Sequence, residues 1–87
     1  ATEKFLNLTV QYPKYTPAFY YLGQSLGQQQ KIGDAHYYLG VYYLKKREFK
    51  NAVVQLKQAL KHLEDADKRN QVEGWLAKMS GDKQKKP

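Results

Sequence analysis

The 87-residue chain is predicted to fold as an all-α domain of antiparallel helix-turn-helix repeats with about five helices. Three observations carry this expectation. Alanines recur at a step of seventeen residues (Ala1, Ala18, Ala35, Ala52), the larger apolar residues Phe5, Leu22, Leu39 and Leu56 keep the same step, and Tyr20-Tyr21-Leu22-Gly23 returns as Tyr37-Tyr38-Leu39-Gly40. Within the units, apolar residues are spaced by three and four, the period of a helix face. Proline or turn-forming pairs separate the units. Seventeen residues hold one helix of about three turns and a short connection.

The first helix is expected near residues 2–12 and closes at Pro13, while Pro17 opens the second, near 17–29. Proline disfavours helix in the residue before it and suits a first helical turn. Gly33-Asp34 and Arg47-Glu48 are read as the next two connections, placing helices near 33–46 and 48–63. In the third helix Ala35, Tyr37, Tyr38, Leu39, Val41, Tyr42, Tyr43 and Leu44 leave almost no polar face. A helix apolar all round is covered on both sides, so it belongs in the middle of the stack, with Gly40 admitting a neighbour closely. The fourth carries the stripe Phe49, Ala52, Val53, Leu56, Ala59, Leu60 and Leu63 against an outer face of Lys50, Gln55, Lys57, Gln58, Lys61 and His62. The fifth, near 67–79, uses Val72, Trp75, Leu76 and Met79, with Asp65 or Asp67 as its cap and Gly81 as its stop. Residues 1–80 form the domain, and 81–87 a flexible basic tail with nothing apolar to bury.

At this length a chain buries only about 60% of the surface its unfolded form exposes, which fits a piece of a larger protein. The absent initiating Met agrees with that expectation. No stretch approaches the ~20 apolar residues of a membrane span, and the first residues lack the apolar centre of a signal peptide. With no cysteine there is neither disulfide nor thiolate chemistry, and the compartment stays open. The net charge of +7 is uneven, with twelve Lys or Arg against six acids from Lys45 onward and three against two before it.

These residues resemble the tetratricopeptide repeat family, whose 34-residue unit carries a Leu-Gly pair, a bulky residue three on and an alanine twelve beyond the glycine. Leu22-Gly23 is followed by Leu26, Ala35, Leu39 and Tyr42; Leu39-Gly40 is followed, with the better match, by Tyr43, Ala52, Leu56 and Ala59. Helix three thus serves both frames, leaving the phase open, and Glu64 stands where the family often has proline. The likeness covers residues 1–63 or so and implies a right-handed superhelix whose members bind proteins or peptides. By motif position, a groove lined by the first helix of each repeat would use Tyr20, Gln24 and Gln28, then Tyr37, Val41 and Lys45. Chaperone-binding relatives place lysines and asparagines there, so Tyr20 and Gln24 disfavour a C-terminal carboxylate ligand. Ala35-His36-Tyr37-Tyr38-Leu39-Gly40-Val41-Tyr42-Tyr43, with the segment Ala52–Leu60, also resembles the C-terminal repeats of bacterial envelope zinc metalloproteases. HExxH is absent, so that likeness implies a non-catalytic substrate-guiding or partner-docking part, in the periplasm or envelope; without the likeness the expected compartment is the cytoplasm.

No catalytic constellation, cofactor motif or metal set emerges from the residues. His36 and His62 lie on different helices with no carboxylate at ligand spacing from His36; the plain reading packs His36 among its aromatic neighbours and solvates His62. Ser25 and Ser80 have no base in register, and Gly23, Gly27, Gly33 and Gly40 are spaced for packing and turns rather than for a phosphate cradle. Of the eight tyrosines, the six paired at 20 and 21, 37 and 38, 42 and 43 place one of each pair toward the core and offer the other for contact, or all pack throughout a thin domain. The partners expected are therefore a protein or peptide ligand, the N-terminal remainder of a longer parent chain, or a second copy in a homodimer. Nucleic acid or another polyanion on the lysines is the rival class, disfavoured by interleaved acids and only two arginines.

Overall fold

Each of the five helices stands where the repeat puts it. The computed structural model describes residues 2–84, as α1 Thr2–Gln11, α2 Pro17–Gln28, α3 Ile32–Lys45, α4 Phe49–His62 and α5 Ala66–Gln84, with no strand among them. Consecutive helices pack as antiparallel neighbours, and α3 is covered by α2 on one side and α4 on the other, as its apolar circumference demands. Leu22, Leu56 and Val72 are fully buried. Burial of side chains of this size stabilises by about 1.5–3 kcal/mol each.

The repeat extends to the hydrogen bonds of the turns. After α2, Lys31 N–H donates to the Leu26 carbonyl (2.9 Å) and Gln30 N–H to that of Gly27 (3.0 Å); after α3, Glu48 N–H donates to Tyr43 (2.9 Å) and Arg47 N–H to Leu44 (3.0 Å). Both are Schellman closures with the pivotal residue left-handed, Gln30 at φ 64° and Arg47 at φ 60°. The pivot of the first turn is thus Gln30 rather than the expected Gly33-Asp34. Gly33 lies inside α3, where a Cβ would stand 2.7 Å from the Leu63 backbone nitrogen and 2.8 Å from the His62 carbonyl carbon. Gly40 plays the part expected of it, since a Cβ there would lie 2.7 Å from Leu56 Cγ; at Gly23 the same atom would lie 2.8 Å from Leu39 Cγ. α3 therefore receives α2 on one face and α4 on another.

Two joints depart from the pattern. Leu63 leaves α4 extended at φ −70°, ψ 135°, and Asp65, rather than Asp67, caps α5 by accepting the Asp67 N–H at 3.1 Å. Arg69 donates through Nη1 to the Leu60 and Leu63 carbonyls at 2.6 and 3.1 Å, satisfying the open end of α4. At the other end of the stack, the seventeen-residue step puts Leu6 where α2 and α3 carry Gly23 and Gly40, and Leu6 and Val10 remain 40% and 71% exposed. The fifth helix runs past the expected stop at Gly81 to Gln84, so part of the expected 81–87 tail is helical, and residues 85–87 lie outside those described.

Candidate functional site

Along α2 and α3 the doubled tyrosines assemble two aromatic groups with different fates. In the first, ring follows ring from α1 to α3: Phe5 stacks on Tyr21 at 5.7 Å, Tyr21 meets Tyr20 edge-on at 5.8 Å, Tyr20 meets Tyr42 at 5.2 Å and Tyr42 meets Tyr43 at 5.1 Å. Tyr20, Tyr42 and Tyr43 are half-buried and Tyr21 is exposed. Gln24, one turn beyond Tyr20, donates from Nε2 to the Tyr20 hydroxyl at 2.9 Å and holds that ring in place. Lys46 Nζ lies 5.2 Å from the centre of the Tyr42 ring, donates to its hydroxyl at 3.4 Å and pairs with Glu48 Oε2 at 3.4 Å. The bond to the Tyr42 hydroxyl, and then the Glu48 charge, raise the ammonium's pKa above its ordinary value. Beside this group, Lys45 Nζ stands over the Phe19 ring at 4.9 Å.

The second group is interior. Tyr37 is 9% exposed, stacks on Trp75 at 5.8 Å, meets Tyr38 edge-on at 5.0 Å and donates its hydroxyl to Gln71 Oε1 at 2.5 Å. Lys68 from α5 lies 5.4 Å from both the Tyr37 and Tyr38 rings and pairs with Asp34 at 3.0 Å. Burial, then the fields of Tyr38, Asp65 and Asp34, raise the Tyr37 pKa.

The six residues expected to line a groove are thereby divided. Tyr20 and Gln24 form one hydrogen-bonded unit, Gln28 and Lys45 are exposed, and Val41 is half-buried against the core. Tyr37 is a core residue whose ring and hydroxyl are taken by α5, so its placement in an open groove is corrected: the long fifth helix closes over it. Tyr42 and Lys46, which sequence reasoning did not select, complete the strip. The antiparallel return of α3 along α2, across the turn at Gln30, brings the end of α3 beside the start of α2.

His36 is half-buried and bonds through Nδ1 to the Gln55 side-chain oxygen at 2.7 Å, an interhelical polar contact rather than aromatic packing. His62 is exposed and borders an open cleft of about 620 Å³ lined by the starts of α3 and α5, including Lys31, Asp34, Asp65 and Lys68. Among the described residues no group of three or more His, Cys, Asp or Glu is placed to hold a metal ion, and no helix is long and apolar enough to cross a membrane. No protein-family model, curated protein or solved structure matches the chain.

Proposed function

We propose that the chain is a protein- or peptide-binding helical repeat of the tetratricopeptide type, and that it engages its ligand through the strip Tyr20, Gln24, Tyr42 and Tyr43 rather than through catalysis. The observation that supports this reading is the half-buried aromatic run with ordered, accessible hydroxyls. Tyrosines held by neighbours offer large contact area at little further cost in side-chain entropy, which is why binding surfaces are enriched in them. Tyr20 is anchored by Gln24 and Tyr42 by Lys46, so the strip is organised before any ligand arrives.

A displayed random-peptide library selected on the immobilised chain supplies the probe. Selected peptides are expected to bind a Tyr20→Ala, Tyr42→Ala variant at least about tenfold more weakly, the loss of a pair of hot-spot contacts. Their affinity is expected to change little with salt, because stacking rather than charge carries it. Equal affinity for wild type and variant, with helix content preserved, sinks the assignment of the strip.

A further inference from the structure

A different face of the molecule bears a charge pattern that the tyrosine strip does not use. Between Lys45 and His62 the chain holds six Lys or Arg and one acid, Glu48, which is occupied by Lys46 and Asn51. Helix α4 itself contains no acid. Lys50, Val54, Lys57 and Lys61 fall within an arc of about 60° on that helix and along about 17 Å of its length. All four are exposed, Val54 at 58%, and none of the three lysines has a salt-bridge partner among the described residues.

The repeat explains why this stripe is bare. One step of seventeen residues earlier stand Gly33, Tyr37, Gly40 and Leu44, on the side where α3 receives α4: Gly33 meets the backbone of His62 and Leu63, and Gly40 meets Leu56. On α4 the same positions carry Lys50, Val54, Lys57 and Lys61. Lysines now stand where the glycines admitted a neighbouring helix, so no helix can lie down at the same distance, and the irregular joint at Leu63 leads α5 away. Ending a stack against water requires a polar face, which mixed charges provide. A stripe of one sign, with an exposed valine in its middle and Phe49 47% exposed at its start, goes beyond that requirement.

We propose that the α4 stripe docks on an anionic lipid surface. The face is a single helix side with no groove for a peptide. Its cations are all lysines, compact charges on flexible stems that suit a diffuse anionic surface, whereas bidentate readout of base edges favours arginine. The six Lys or Arg between Lys45 and His62, three of them on this stripe, fall within the four to eight that mark surfaces matched to such headgroups, each lysine near the surface raising partition about fivefold. Val54 lies among them to meet the boundary between headgroups and acyl chains.

The test is co-sedimentation of the full chain with vesicles of phosphatidylcholine alone and of phosphatidylcholine with phosphatidylserine. Wild type is expected to partition onto the serine-containing vesicles only, and to be released as salt approaches about 1 M, where the screening length falls to about 3 Å. Lys50→Gln, Lys57→Gln, Lys61→Gln is expected to lower partition about a hundredfold, three fivefold losses in sequence. The corresponding triple Arg variant retains binding, and Tyr20→Ala, Tyr42→Ala binds vesicles as wild type does, which separates this surface from the peptide strip. Circular dichroism on each variant keeps folding out of the comparison. Equal partition on both vesicle types, unchanged partition of the triple Gln variant, or tighter lysine-dependent binding to a single-stranded oligonucleotide each overturns the proposal.

Discussion

A part-buried hydroxyl and a missing Cβ set the residue-scale energetics. The raised pKa of Tyr37 means that folding favours its neutral form, so its contribution is intact below the unfolded tyrosine value of about 10 and is lost as pH climbs through the higher folded value. Chemical denaturation followed from pH 8 upward should therefore show wild type losing stability in alkali faster than Tyr37→Phe. The variant itself should be weaker by about 0.5–1.5 kcal/mol at neutral pH, the worth of the bond to Gln71. At Gly40, any side chain drives into the fully buried Leu56, and Gly40→Leu is expected to unfold the domain or lower its thermal midpoint by well over ten degrees. Gly74 has nothing within 4 Å of a built Cβ and sits in the middle of α5, so Gly74→Ala should raise the midpoint, by about 0.5–1 kcal/mol of added stability. A melt in which Gly40→Leu matched wild type would show that the close approach of α3 and α4 is dispensable.

Among the elements, α3 and α1 differ sharply in support. The first is clasped from both sides, while α1 meets α2 through Phe5 on Tyr21, a Thr2–Ser25 hydroxyl contact and a bond from Gln29 to Thr2, leaving Leu6 and Val10 to solvent. Hydrogen exchange is expected to find the amides of α1 faster than those of α3, with α1 opening without the rest. Equal protection would place α1 in the same cooperative unit. The helices and the central position of α3 were legible because a seventeen-residue step and a three-four spacing are local properties of the chain. Arg47-Glu48 marked the turn after α3, but the turn after α2 was displaced, because Gln30 occupies a left-handed position usually given to glycine, while Gly33 looked like a turn and is a packing contact. The length of α5 was hidden by Gly81, which the helix accommodates. The division of the tyrosines needed the third dimension. Periodicity gives each residue's angle on its own helix, but only the path of α5 decides that Tyr37 is covered while Tyr20 is not.

For the whole molecule, the stack extends 48 × 26 × 19 Å, and its principal helix contacts join sequence neighbours. Helical proteins dominated by such local pairings fold in microseconds to milliseconds. Trp75 is the one tryptophan, and its stack on Tyr37 reports when α5 has docked on α3. Refolding followed by its emission is expected to finish within a few milliseconds, and a dominant phase of seconds would reveal an assembly step other than neighbour-by-neighbour packing. The two proposed contact surfaces lie on separate parts of this array, one across α2 and α3 and one on the outer side of α4, so a ligand on the first leaves the second open.

The matched turns at Gln30 and Arg47 turn the segment between them into an interchangeable part. A helix that begins and ends with the same hydrogen-bonded hinge can be copied without redesigning its junctions, as a carriage is coupled into a train. Evolution or an engineer can lengthen such an array by duplication, and the step is broken at two places: Leu6 in the place of a glycine on α1, and lysines in the place of glycines on α4.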